Sequence, residues 1–235
     1  MAEENVGSGS ALGMFNAFVD PKGLAKSVPA KLFWLWPLLI VTIVFIVVGY
    51  FMQPFYGQLV DYQMSQQSIP PERLENAKNI AHIITQVTVF ATPVFLILIT
   101  MLLSWLVSVT GSIVGMRAKF RDVFSIAAAC SLISCLQYVA GYIVLQTKGD
   151  DITTRDQLTP PFGLDIFVPA HGALLGILNF FSIFEIWYLV MFGLTLAYLT
   201  NSSKGKAFFA LTPAWFLPMI FRVLGSMFGG GGAQQ

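Results

Sequence analysis

Charge is what this sequence has least of. Asp, Glu, Lys and Arg make up 11% of the 235 residues, hydrophobic residues 56%, and the mean hydropathy is +0.72. Soluble domains carry about a quarter charged residues. A water-facing surface cannot be built from this composition, so the solvent for most of the chain must be lipid. The net charge of +1 says nothing about nucleic acid, and no basic run or interleaved aromatic patch suggests a groove binder, so no nucleic-acid partner is expected. Cysteine is nearly absent. Cys130 and Cys135 lie in one apolar segment, where a five-residue offset turns them roughly 140° apart on a helix. An intrahelical disulfide is therefore not expected, and both read as small packing residues.

Catalytic signatures are missing too. There is no Gly-x-Ser-x-Gly, no His-Glu-x-x-His and no Walker loop. The Gly7-Ser8-Gly9-Ser10 stretch has no strand and helix around it to cradle a phosphate. No pair of intramembrane aspartates is available as a protease dyad. His82 and His171, with Asp165, fall at the outer ends of apolar segments without metal-ligand spacing. The expectation is a protein that is not an enzyme and takes no cofactor and no metal. The first apolar run begins near Leu32, too late and too long for the core of a cleavable signal peptide.

Five apolar runs are present, at residues 32–52, 83–115, 123–145, 172–200 and 207–228, each long enough to cross a bilayer. Before them, residues 1–13 are small and polar and expected to be disordered. Phe15, Phe18 and Val19 at helical spacing beside Asp20-Pro21-Lys22 predict a short amphipathic segment at the membrane surface, completing a tail of residues 1–31. Trp34 and Trp36 mark the interface where the first crossing begins. Residues 53–82 read as a polar connection. Within it, Pro70-Pro71-Glu72 with Glu75 predicts a helix start that runs directly into the second crossing. Pro93 is a candidate kink there, and Pro213 and Pro218 are candidate kinks in the fifth crossing. Ser104, Ser108 and Ser112, with Gly111 and Gly115, form a small-residue stripe suited to close helix packing. The third crossing, rich in Ala and Ser, is expected to be interior. Residues 146–171 form a second polar connection broken by Pro160-Pro161 and Pro169. Residues 229–235 read as a flexible stub. The fold class expected is an all-α membrane protein: a five-transmembrane-helix bundle with an N-terminal interfacial helix and an extended helix leading into the second crossing.

Five crossings put the ends on opposite sides. Lys22, Lys26, Lys31, Arg117, Lys119, Arg121, Lys204 and Lys206 share one side. The other side has Arg73, Lys78, Lys148 and Arg155 against seven acids (Asp61, Glu72, Glu75, Asp150, Asp151, Asp156 and Asp165). The excess of basic residues on the first side predicts a cytoplasmic N-terminus and an exoplasmic C-terminus.

Two charges fall inside crossings. Glu185 lies about fourteen residues from the cytoplasmic end of the fourth crossing and Arg222 about fifteen residues along the fifth, each roughly 21–23 Å deep at ~1.5 Å per residue. Charges in apolar spans usually face a partner or the interior. Three readings stay open: Glu185 and Arg222 pair and fix two helices; Glu185 is wetted at the outer interface while Arg222 snorkels outward; or Glu185 serves an ion or proton relay beside a broken fifth helix. Ser182 and Tyr188 flank Glu185 on the same helical face.

Several stretches, in order, resemble the Yip1 family of small polytopic membrane proteins, particularly its bacterial members. They are Phe18-Val19-Asp20-Pro21, Trp36-Pro37-Leu38, the Pro71-to-Ala81 segment, Gly115-Met116-Arg117-Ala118-Lys119-Phe120-Arg121-Asp122-Val123, Phe184-Glu185-Ile186-Trp187 through Gly193, and Lys206-Ala207. The resemblance implies a cytoplasmic N-terminus and an exoplasmic C-terminus. In eukaryotic relatives the family is linked to Rab-type GTPases, vesicle traffic and membrane shaping. The Asp-Leu-Tyr/Trp-Gly-Pro signature of those relatives is absent; Phe18-Val19-Asp20-Pro21-Lys22 stands there, which argues against a GTPase partner. The resulting expectation is a non-enzymatic membrane organiser or partner-binding protein, most simply in a bacterial cytoplasmic membrane, whose partners are the lipid bilayer and other membrane proteins or a second copy of itself. The alternative is a small transporter or transporter subunit using Glu185 and the Pro-broken fifth helix.

Overall fold

Every regular element is helical in the computed structural model, which describes residues 11–66, 71–149, 152–168, 170 and 172–229. Most of the expected N-terminal disorder, nearly all of the C-terminal stub, and Asp150, Asp151, Pro169 and His171 lie outside them. A 3-10 helix, Ala11–Ala17, precedes α1 (Pro21–Ser27), α2 (Leu35–Ser65), α3 (Pro71–Ile113) and α4 (Phe120–Lys148). Short 3-10 helices at Arg155–Leu158 and Leu164–Ile166 lead to α5 (Gly172–Phe180), α6 (Ile183–Thr200), α7 (Lys204–Ala210) and α8 (Thr212–Gly229). Five segments are long and apolar enough to cross a membrane: α2, residues 74–113 of α3, α4, α6, and residues 204–224 across α7 and α8.

The chain divides into two compact units, each drawing on all the long helices. The first comprises residues up to 41, 97–134 and 185–217; the second comprises residues 42–96, 135–184 and 218 onward. Alanine-rich α4 supplies the centre of the first unit. Residues 123–130 are all buried, and Ile126, Ala128, Ala129, Cys130 and Ile133 are fully enclosed. This agrees with the interior position expected from its small side chains, which let neighbouring helices approach closely. Gly193 of α6 serves the same end, since an added Cβ would lie 2.8 Å from the Phe208 ring of α7. Ser104, Ser108 and Ser112 of the small-residue stripe each return a hydroxyl hydrogen bond to the carbonyl four residues earlier, which satisfies them without a partner helix. Gly115 does not belong to that stripe. It lies beyond α3 with φ +77°, a left-handed position that glycine occupies without steric cost.

The second unit extends the helices beyond the expected crossings. α2 continues through Pro54 to Ser65, thirteen residues past the expected end. It persists because the added turns carry an apolar face. Val48, Met52 and Leu59 of α2 form a buried cluster with Leu145 of α4 and Ile152, and Phe55 and Tyr56 pack against it. Lys78 Nζ of α3 pairs with Asp61 Oδ1 of α2 at 3.0 Å. The expected polar connection 53–82 is therefore mostly two helices, with α3 starting at Pro71 as the sequence indicates. α3 also runs unbroken through Pro93.

The fourth and fifth apolar runs are each interrupted. The expected single helix 172–200 is α5 followed by α6, broken at Phe181-Ser182. The run 207–228 is part of α7 plus α8, broken at Leu211, with Pro213 in the first turn of α8 and Pro218 inside it. A proline in a first turn costs little because its missing N–H has no intrahelical acceptor, so the chain restarts its helix there.

Candidate functional site

The N-terminal segment is pinned to the first unit rather than resting loosely on it. Asp20 caps α1, its Oδ1 accepting from Lys22 N at 3.1 Å and Gly23 N at 2.9 Å, and Pro21 opens the helix. The 3-10 helix and α1 fold back on one another, with Gly13 set closely against Ser27. Met14, Ala17, Leu24, Ala25, Val28 and Phe33 are buried, while Leu12, Phe15 and Val19 are exposed. The expected amphipathic segment is thus a helical hairpin with one face on protein, and Phe18 and Val19 form its turn. Two bonds hold it from a distance. Trp187 Nε1 of α6 donates to the Phe18 carbonyl at 2.9 Å, with the two rings 5.9 Å apart. Arg121 Nη2, from the start of α4, donates to the Pro29 carbonyl at 3.0 Å.

The two basic turns of this unit are built alike. After α3, Met116 N donates to Gly111 O at 2.8 Å and Gly115 N to Ser112 O at 3.1 Å. After α6, Ser202 N donates to Ala197 O at 3.0 Å and Asn201 N to Tyr198 O at 3.4 Å. Each is a Schellman motif, with Gly115 and Asn201 (φ +48°) in the left-handed position. Ser203 then caps α7 by accepting from Lys206 N. All eight basic residues assigned to one side by the charge count, from Lys22 to Lys206, fall in this unit. Lys31, Arg117 and Lys119 sit on short connections, and the other five sit in α1, the first turn of α4 and the first turn of α7.

The Yip1 domain family model matches residues 16–225, from the hairpin to beyond Arg222. The chain belongs to the Yip1 domain family. Neither the comparison with curated proteins nor that with solved structures returned a match. Three of the stretches that resemble this family are joined by the bonds just described. The turn Phe18-Val19-Asp20-Pro21 meets Trp187, and Arg121 reaches the base of the same hairpin.

The second unit holds a polar network around Asn179, in the last turn of α5. Its amide donates to Pro160 O at 3.2 Å and to Asp165 Oδ2 at 3.3 Å. Arg222 Nη1 of α8 donates to both the carbonyl and the side-chain oxygen of Asn179, each at 3.4 Å, and the guanidinium lies 5.6 Å from the Phe180 ring centroid. Asp165 Oδ1 accepts from Gly163 N at 2.9 Å. Gly163 approaches α5 so closely that a Cβ there would press on the Leu178 carbonyl and lie 3.1 Å from Asn179 Cα. The loop 160–165 thereby closes the end of α5. It also serves the break before α6, because Phe162 O accepts from Ile183 N at 3.2 Å.

These positions sharpen the sequence reading of the intramembrane charges. Glu185 is in the first turn of α6, not mid-helix, and buried Ser182 immediately precedes that helix. Ser182-Ile183-Phe184-Glu185 has the spacing of a capping box, and an acid there faces the positive end of the helix dipole. Tyr188 packs edge-on against Phe192 one turn further along, ring centroids 5.9 Å apart. Glu185 belongs to the first unit and Arg222 to the second, and their pairing remains a proposal. Asn179 and Asp165 as Arg222-linked residues were missed from sequence. The usable signal was Asn179 itself, a second polar residue opening the same apolar stretch as Glu185. Nothing in the sequence signalled the Trp187 bond, whose acceptor lies 169 residues away.

Proposed function

We propose that this Yip1-family membrane protein acts without catalysis, as a helical scaffold whose basic turns bind other membrane components, either membrane proteins or a second copy of itself. The observation that carries this reading is the rigid hold on those turns. Hairpin, Schellman motifs and serine cap hold the backbone that carries eight cations on one unit, an arrangement suited to recognition. The family is not known for catalytic activity, in keeping with the lack of catalytic motifs.

The same reading puts the basic turns in the cytoplasm and the C-terminus outside a bacterial cytoplasmic membrane. A reporter enzyme active only outside that membrane, fused after Gln235, should work; activity only from a cytoplasmic reporter reverses the topology. The binding role is tested by placing a photo-crosslinking amino acid at Lys119 and, as control, at Thr153. Discrete protein adducts from position 119 in intact membranes are expected. Equal or absent labelling from both positions contradicts the binding face. The transporter alternative predicts that Glu185→Gln abolishes proton-coupled flux in vesicles while leaving thermal stability unchanged.

A further inference from the structure

The bond between Arg121 and the Pro29 carbonyl does more than hold the hairpin. Lys26 and Lys31 flank Pro29, while Arg117 and Lys119 closely precede Arg121. Joining those two turns gathers cations from two elements into one patch. A second tie fixes the same elements: Trp34, before α2, lies 5.8 Å from Phe124 of α4, and Phe120 stacks on Phe124 at 5.9 Å with an interplanar angle of 14°. These rings join the two elements that carry the cations; Phe124 is buried at their centre, while Phe120 and, nearby in sequence, Trp36 are exposed.

Its charge is largely uncompensated. Asp122 is the acid within the patch; it pairs with Arg121 Nε at 3.5 Å and its side chain is 18% exposed. Asp20, the other acid of the hairpin, accepts from the first N–H groups of α1. Lys26, Lys31, Arg117 and Lys119 are exposed, and none has an ion-pair partner among the described residues. Aromatic rings at the level of lipid headgroups, next to exposed cations, match a ligand that is anionic at one end and apolar at the other.

We infer that Lys26, Lys31, Arg117 and Lys119, held together by Arg121, form a binding site for the headgroup of an acidic phospholipid, with Trp34, Phe120 and Phe124 beneath its glycerol region. This extends the proposed function by adding a lipid to what the basic face binds, and it rests on the reading of this end as a binding face.

The test titrates the full chain, purified in detergent, with phosphatidylglycerol, phosphatidylcholine or inorganic phosphate, and follows thermal stability. Phosphatidylglycerol should raise the unfolding temperature saturably, phosphatidylcholine should not, and millimolar phosphate should not reproduce the effect. Replacing all four cations by Gln should weaken the phosphatidylglycerol midpoint at least tenfold, since each is worth about fivefold at an anionic surface. The substitution Lys148→Gln, an exposed cation of the second unit, should change it less than threefold. If the quadruple variant does not fold, the double variant Lys26→Gln with Lys119→Gln, one cation from the hairpin and one from the connection before α4, must still weaken it several-fold. Raising salt from 0.05 to 0.5 M must weaken binding to the natural chain, because the exposed charges are screened.

Equal stabilisation by phosphatidylcholine, full reproduction by phosphate, an unchanged midpoint in the variants, an equal loss in the Lys148 control, or salt-independent binding each overturns the site. Loss of the lipid effect with persisting protein adducts from position 119 removes the lipid and leaves the binding face. Loss of both removes the binding face.

Discussion

Trp187 is the residue whose replacement most directly tests how the N-terminal hairpin is held. Its Nε1 donates to the Phe18 carbonyl at 2.9 Å, and its ring meets the Phe18 ring at 5.9 Å and 57°. Trp187→Phe removes the donor and keeps an aromatic ring. The loss should be one net hydrogen bond, about 1 kcal/mol, which multiplies the open population of the hairpin about fivefold. Trp187→Ala removes the ring as well. Full Trp truncations cost about 3–5 kcal/mol; for this half-buried side chain the lower end applies, an increase on the order of 100-fold in opening. Hydrogen exchange of residues 13–28 in detergent, read by mass spectrometry, measures this directly, because Leu24 N and Val28 N are protected by bonds within the hairpin. Residues 123–133 of α4 serve as the internal reference. Unchanged hairpin exchange in both variants refutes the argument, as does equal acceleration in α4, which would mean general destabilisation.

Other substitutions probe the remaining elements. Thr195 is fully enclosed and its hydroxyl has no hydrogen-bond partner among the described residues; Thr195→Val keeps the shape and should stabilise by about 1 kcal/mol, seen as a higher unfolding temperature. Gly163→Ala sets a methyl against the backbone of α5 and should cost about 1–3 kcal/mol, with faster exchange confined to residues 160–183. Ser182→Ala should cost about 1 kcal/mol if it caps α6, whereas Glu185→Gln, which still satisfies a capping box, should stay within about 0.5 kcal/mol. A larger loss of thermal stability in Glu185→Gln would show that its charge is needed, which favours an ion pair.

The hydropathy pattern was enough to find the membrane class and five apolar runs, because a crossing is decided by composition over about twenty residues. It also located the start of α3, since Pro71 and its following acids are local signals. Helix ends were another matter. α2 outran its apolar segment because Phe55, Tyr56 and Leu59 found a surface to pack on, and that surface is supplied by residues some ninety positions later. The run 172–200 reads as one helix, yet it is broken at Phe181-Ser182, where the loop at 160–165 supplies the carbonyl that accepts from Ile183 N. A break of this kind depends on a distant partner for the freed backbone groups, and periodicity does not encode one.

The same division holds for the candidate sites. From sequence alone, lipid as the solvent, the lack of catalytic signatures and the Yip1 resemblance were readable, because each rests on residue types or short local order. Glu185 and Arg222 stood out for the same reason, as charges in apolar runs. Tertiary structure decided what they touch. Arg222 is held by Asn179 and Phe180, Glu185 opens a helix, and Trp187 and Arg121 fasten a hairpin from 169 and 92 residues away. The Arg222, Trp187 and Arg121 hydrogen bonds end on backbone carbonyls, which every residue carries and no side-chain pattern marks, so they exist only once the fold has brought the segments together.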